Sequence, residues 1–454
     1  MHETDPARGS APPRLVALPL SRAIFELAWP AMAATMLVNV FNLVDAFWVG
    51  RLGTAALGGM TASAFLVWCL HALGQLVGTG VNAVVARRVG EGQAALAGVA
   101  GGHGLALALG VAALTMLATL PVSWRLLGVL ALGPEVRAAA SAYLTPILYG
   151  FPAITCWYAV EATFRGSGDA RTPMVVLGAT LALNALLDPL LIFGWGPLPA
   201  LGIAGAAWAT VVSHALGVLA GLALLRRGPV RPWLGEDGLR PDLLWTLTRV
   251  GSPVAVSSFL FSVIYIALTR IIAGFGGPAL AAVGVGHRVE GLVYFTCLGF
   301  AAAAGTLVGQ HLGAGQPGRA ERAAWHATGY AAAASLVLAI LFFVAAPWIF
   351  TLFSDDPRVV AAGTVYLRIV ALFEVGTAFE LVLEASFAGA GNALPPMLVC
   401  VPLTALRIPA AYILAHRVKL GPSGIWWAIS ASTGVKGAVM AAWFRLGRWK
   451  QSEV

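Results

Sequence analysis

Residues 164–174 read F-R-G-S-G-D-A-R-T-P-M, and 223 positions later residues 387–397 read F-A-G-A-G-N-A-L-P-P-M. The same offset pairs V-A-R-R-V-G-E-G-Q at Val85 with V-G-Q-H-L-G-A-G-Q at Val308. It also pairs Pro30 with Pro253, Tyr143 with Tyr366 and Glu161 with Glu384. Five separated matches at one offset mark an internal repeat, so the chain is two copies of one unit.

What the unit is made of follows from composition. Of 454 residues, 59% are hydrophobic and 11% charged, whereas a soluble domain carries roughly a quarter of its residues as charge. Apolar stretches of about 20 residues recur along the whole length and read as membrane-spanning helices. Breaks at Gly, Pro and charge clusters predict twelve spans, near 21–49, 55–84, 95–122, 138–164, 173–195, 201–226, 243–272, 279–307, 320–349, 361–387, 395–416 and 422–445. The expected fold class is an all-α integral membrane protein of two six-helix bundles. Six spans per repeat is an even number, so both copies share one topology and are related by a pseudo-two-fold axis along the membrane normal, with a path for substrate between them.

The expected domains are a solvated tail at 1–20, a first lobe at 21–226, a basic Pro-rich linker at 227–242 and a second lobe at 243–447. The tail lacks a short apolar region and a small-residue cleavage site, and so does not read as a signal peptide. With both termini on one side of the membrane, that side holds 17 basic residues and the other 8. The excess predicts cytoplasmic termini in the cell (inner) membrane. The net charge of +8 sits mostly in short loops, without aromatic interleaving, and predicts no nucleic-acid partner. Cys69, Cys156, Cys297 and Cys400 all lie in apolar runs and read as small core residues. There is no H-E-x-x-H, no G-x-S-x-G and no zinc-like Cys/His spacing. A transporter is expected, and neither an enzyme nor a bound cofactor.

Acids inside the spans narrow the reading. The second half carries Glu290, Glu374, Glu380 and Glu384 alongside Arg270, Arg288, Arg407 and Lys436, four of each sign, and mutual ion pairing there is as good a reading as function. In the first half Glu161 has Arg165 at i+4, a local pair. Asp45 and Asp188 have no base within their spans, and Arg51 should reach the outer interface. A lone charge at mid-bilayer costs about 2.5–3.5 kcal/mol on insertion scales, and a bound proton or Na⁺ removes that cost. Each acid ends a polar stripe: Thr35, Asn39, Asn42 and Asp45 on span 1, and Thr180, Asn184 and Asp188 on span 5. At about 1.5 Å rise per residue, both acids fall at similar depth in the outer half. The two stripes predict a shared cavity that Thr210 and Ser213 of span 6 complete. Pro30 removes a backbone hydrogen bond within span 1 and favours a kink. Pro189 disfavours helix at Asp188.

Taken together, L-A-W-P-A-M at Leu27, N-L-V-D-A-F-W-V-G-R-L-G at Asn42, V-G-E-G-Q at Val89, the motif at Arg165 and N-A-L-L-D-P-L-L-I-F-G at Asn184 resemble the multidrug and toxic compound extrusion (MATE) family. The resemblance covers almost the whole chain after the tail, and is nearest the DinF-like branch. It implies twelve helices in a V-shaped pair of lobes and cation-coupled antiport of small organic, often cationic, compounds. By that resemblance Asp45, Asn184, Asp188 and Thr210 form the ion site, Tyr143 lines the cavity and Pro30 bends helix 1. Glu374, Glu380 and Glu384 would draw cationic substrate to the second-lobe wall, with Tyr265 offering a cation–π face and Asn39, Asn42 and Glu161 completing the lining. The coupling ion is expected to be H⁺ rather than Na⁺, and the protein a monomer in the lipid bilayer.

Two other readings compete. A lipid-linked saccharide flippase of the same wider superfamily should line its cavity with cations to hold a pyrophosphate, yet the first half is acidic here. An intramembrane aspartyl protease also needs two facing aspartates, but neither Asp45 nor Asp188 stands in a G-x-G-D-type motif.

Overall fold

The computed structural model describes residues 13–128, 132–195 and 199–452. These form fifteen principal helices: α1 (Leu20–Gly50), α2 (Thr54–Gly90), α3 (Ala94–Thr119), α4 (Pro134–Tyr149), α5 (Phe151–Ser167), α6 (Arg171–Phe193), α7 (Ile203–Leu225), α8 (Pro241–Ala273), α9 (Gly277–Gly313), α10 (Pro317–Thr351), α11 (Pro357–Ala371), α12 (Glu374–Gly389), α13 (Leu394–Ala405), α14 (Arg407–Tyr412) and α15 (Pro422–Arg445). Short helical turns complete them, and no strand occurs among the described residues.

The repeat is visible in the boundaries. α2, α3, α4, α5 and α6 begin 223 residues before α9, α10, α11, α12 and α13. The turns repeat too. Gly168 of the opening motif has φ 96° and its counterpart Gly391 has φ 84°; a side chain rarely adopts this backbone. Each therefore ends its helix in a left-handed turn at the same point of its unit.

Twelve spans result, several of them composite. Nine described helical stretches are long and apolar enough to cross a membrane by themselves, and α11 with α12 makes a tenth, bent by 52°. The remaining two of the twelve are α4 with α5, interrupted at Gly150, and α15, whose middle carries Ser430, Ser432, Thr433 and Lys436. Gly150 at this break is bare for a packing reason: a Cβ there would overlap the Val211 side chain of α7.

The two halves meet through α1, α2, α8 and α9, and the contacts obey the pseudo-two-fold. A Cβ at Gly251 would overlap the Leu76 carbonyl, while at the equivalent crossing a Cβ at Gly299 would lie 2.7 Å from the Ala28 carbonyl oxygen. Among the described residues, every glycine contact this tight between the membrane helices of the two halves lies in the half of the helices nearer the chain termini.

Two expectations need correction. The tail is not wholly solvated: residues 14–17 form a helical turn, Leu15 and Val16 are buried, and Arg14 pairs with Glu26. The rest of that segment, residues 1–12, lies outside the described residues. Pro189 does not unwind α6, which stays helical to Phe193, because an unwound segment at this depth would leave polar backbone without water. α1 is helical on both sides of Pro30. The linker is clasped by α3. Gly98 and Gly102 let α3 press on the Arg231 and Trp233 backbone, and His103 Nε2 accepts from the Arg240 N–H at 2.8 Å.

Candidate functional site

Asp45 on α1 and Asp188 on α6 are 3% and 0% exposed. α1 packs along α6, and α6 along α7, so three helices converge on the acids. The two carboxylates are close enough to interact electrostatically. Tyr143 of α4 lies close to Asp45 and near Asp188. No Lys, Arg or His lies within ion-pair distance of either acid among the described residues. Asp45 Oδ1 is buried without any hydrogen-bond partner.

Asn184 orients the Asp188 side of the site. The Thr210 backbone nitrogen stands 2.8 Å from the Asn184 amide. A backbone N–H only donates, so the amide atom facing it is the oxygen. That oxygen also accepts from the Thr210 hydroxyl at 3.1 Å, and Nδ2 then donates to the two Asp188 oxygens at 3.1 and 3.2 Å. The group facing the carboxylates is an N–H donor, not a carbonyl ligand.

The site is smaller than the two stripes predict. Asn39 donates to the Thr35 carbonyl of its own helix at 3.1 Å, and Thr35 Oγ1 to the Met32 carbonyl at 2.9 Å. Asn42 is exposed. Thr180 bonds the Val176 carbonyl and packs against Gly217. A helical hydroxyl or amide readily satisfies itself on the preceding turn, and so only Asp45 and Asp188 with Asn184 reach one another. Ser213 is buried with its hydroxyl unpartnered. Tyr143, expected on the cavity wall, is buried beside Asp45.

Glu161 pairs with Arg165 at 3.4 Å, as i+4 spacing predicts. In the second half one of the anticipated pairings forms, Lys436 with Glu380 at 2.5 Å. Arg407, 2% exposed, donates instead to the hydroxyls of Ser432, Tyr265 and Thr433 at 2.6, 3.1 and 2.8 Å. Arg270 and Arg288 are exposed, and neither forms an ion pair with these acids among the described residues. Glu290 accepts from the Tyr366 hydroxyl at 2.8 Å, with His287 Nε2 at 3.8 Å. Glu374, at the start of α12, is buried. Glu384 lies near Glu380 and Lys436. Tyr143 and Tyr366, equivalent in the repeat, thus each meet a carboxylate, but from α1 in one half and from α9 in the other. A largely apolar cavity of about 520 Å³ between α13, α14 and α15 reaches Arg407 and Ser432 and not the acid pair.

Counting charges passed over His71 and His214. His71 Nδ1 lies 2.8 Å from the Tyr158 hydroxyl, and His214 Nδ1 lies 2.9 Å from the Thr210 carbonyl. The signal available in the sequence was His214 at i+4 from Thr210.

Two six-span repeats enclosing unpaired buried carboxylates define a polytopic membrane transporter rather than an enzyme. The chain belongs to the MatE family, whose model matches residues 30–190 and again 253–413; both limits repeat at the offset of 223. It is 27% identical over 448 residues to the probable multidrug resistance protein NorM of Thermotoga maritima, covering 96% of this chain and 94% of that one. It is also 27% identical to the multidrug resistance protein PmpM of Pseudomonas aeruginosa over 455 residues, covering 95% and 94%. A solved outward-facing MATE family multidrug transporter of the MOP superfamily superposes with TM-score 0.89 at 25% identity, covering 98% of this chain and all of that one.

Proposed function

We propose that this protein exports small organic compounds, cationic or amphipathic, in exchange for an inward-moving cation. The relatives' names as multidrug resistance proteins support the export reading. Asp45, Asn184, Asp188 and Thr210 are its ion-coupling site, with Tyr143 as a further member. The observation that carries this is the buried pair of carboxylates on α1 and α6 without a basic partner. The cation is H⁺ rather than Na⁺. A sodium site wants oxygens, but the Asn184 oxygen is occupied by Thr210 and its N–H₂ faces Asp188.

Residues 21–226 and 243–447 act as the two lobes of an alternating-access cycle, joined by 227–242. The protein works as a monomer in the inner membrane with both termini cytoplasmic. Pro30 gives α1 the weakened backbone at which it bends. The substrate wall draws on Tyr265, Glu374, Glu384 and the paired Glu161 and Glu380, with Asn42 open to the space between the lobes.

The test is efflux of a fluorescent organic cation from proteoliposomes under separate H⁺ and Na⁺ gradients. Wild type responds to the H⁺ gradient, and Asp45→Asn and Asp188→Asn do not, while both still elute as folded protein. Wild-type efflux in either variant rules the assignment out. A response to Na⁺ alone replaces the proton with sodium.

A further inference from the structure

Beside the acid pair, and outside the proposed coupling set, stands a second polar cluster built from three helices. His71 comes from α2, Tyr158 from α5 and His214 from α7, and all three side chains are half-buried. The His71 and His214 rings interact electrostatically. Because the Thr210 carbonyl only accepts, His214 Nδ1 carries a hydrogen and its Nε2 holds the lone pair. Tyr158 engages His71 at Nδ1. Both imidazoles therefore keep Nε2 without a protein partner among the described residues. Tyr158 is itself held in place, with His71 against its ring and Gly74 allowing α2 to close on it.

Thr210 joins this cluster to the acids. Its hydroxyl and N–H fix Asn184, which holds Asp188, and its carbonyl fixes His214. The titratable neighbours can be named helix by helix. α5 brings Tyr158 and, beyond it, Glu161 with Arg165. α7 brings His214. α6 brings Asp188 through Asn184, and α4 brings Tyr143 with Asp45 behind it. α1, α3, α8, α9 and α12, which also pack on α2, contribute no charged group acting on His71 among the described residues.

We propose that His71 and His214 form a second proton-binding station of the first lobe, holding one proton between them and working with Asp45 and Asp188. The role in transport rests on the coupling reading above; the proton binding does not. One proton is the capacity because two adjacent imidazolium ions repel strongly away from water. A proton arriving at the free Nε2 of His214 breaks no existing hydrogen bond, since Nδ1–H keeps the Thr210 carbonyl. The charge gained there lies on the far side of Thr210 from Asp188. It opposes a cationic substrate in the cavity and favours the ionised state of the acids.

The test uses His71→Asn with His214→Asn, because the Asn amide nitrogen sits close to where Nδ1 stood and keeps both existing bonds. Difference titration of purified protein in detergent from pH 5 to 8 should show the double variant taking up about one proton fewer than wild type. Equal uptake overturns the proposal. In proteoliposomes, H⁺-driven efflux of a fluorescent cation should fall about tenfold, while gradient-free exchange of the same dye stays within twofold. An equal fall in both marks a merely structural role and also overturns it. If the double variant does not fold, each single variant is titrated, and unchanged uptake in both is the overturning result. Should Asp45→Asn leave efflux intact, the coupling reading fails by itself, and the difference titration still decides whether the histidines bind a proton.

Discussion

Gly90 and Gly313 occupy equivalent places in the two repeats, and each presses its bare Cα against the other half of the molecule. A Cβ at Gly90 would overlap the Gln310 carbonyl, and a Cβ at Gly313 would overlap the Arg87 carbonyl; Arg87 and Gln310 are themselves equivalent. Between these contacts Ala86 and Gly309, again equivalent, touch each other, so the pseudo-two-fold axis passes there. The ends of α2 and α9 nearer the termini form a symmetric backbone closure that tolerates no side chain.

Gly90→Val should therefore wedge this closure open. Forcing atoms into a filled contact costs about 1–3 kcal/mol. The expected result is a lower thermal midpoint in detergent, with greater thiol labelling of a cysteine introduced at Ala86. Unchanged labelling would mean that the closure is not tight.

Asn184→Ala removes both donors that hold the Asp188 carboxylate. Loss of hydrogen bonds to a charged buried group costs about 1.5–3 kcal/mol, which is roughly a tenfold to hundredfold effect on a step that needs the ionised acid. Efflux under a pH gradient should fall within that range, while gel filtration remains that of folded protein. Retention of full efflux would show that the amide does not support the acid.

Lys436→Met leaves Glu380 without its partner. Lys436 is 2% exposed and the Glu380 side chain 13%, so the pair is largely out of water. Removing one member of a buried pair costs about 3–5 kcal/mol, whereas replacing both is often near neutral. Thermal unfolding should show a large loss for Lys436→Met and recovery of most of it in Lys436→Met with Glu380→Met. A double variant as unstable as the single one would contradict this.

His103→Ala should free the linker. His103 is fully buried, with Nδ1 donating to the Val99 carbonyl at 2.9 Å and Nε2 accepting from Arg240. Loss of the bond to the Arg240 N–H costs about 0.5–1.5 kcal/mol. Limited trypsin digestion should cut between Arg226 and Arg240 faster in the variant than in wild type; equal rates would show that the linker is held elsewhere.

The repeat, the helical spans and the suspicion attached to Asp45 and Asp188 were all legible before any coordinate. Span limits followed hydrophobicity closely: 55–84 is predicted where α2 runs Thr54–Gly90, and 173–195 where α6 runs Arg171–Phe193. The less accurate readings were of polar residues. Asn39, Thr35 and Thr180 look like cavity lining in a stripe, yet each bonds its own helix. Arg407 looks like a counter-ion, yet it is held by three hydroxyls. Tyr143 looks like cavity wall and stands on Asp45. Spacing says which face of a helix a side chain occupies; which neighbour that face meets is settled by how other helices cross it.

The sequence by itself determined that this chain crosses a membrane as two like halves and places two acids where no base can follow. Burial of apolar residues and the cost of a lone charge in lipid are local quantities, readable one segment at a time. Only the tertiary structure decided that α1, α4, α6 and α7 converge on those acids, that Thr210 turns Asn184 toward Asp188, and that His71 and His214 gather beside them. Those outcomes depend on hydrogen-bond direction and on glycine-sized gaps between helices distant in the chain. Neither is expressed in a linear pattern of residue types.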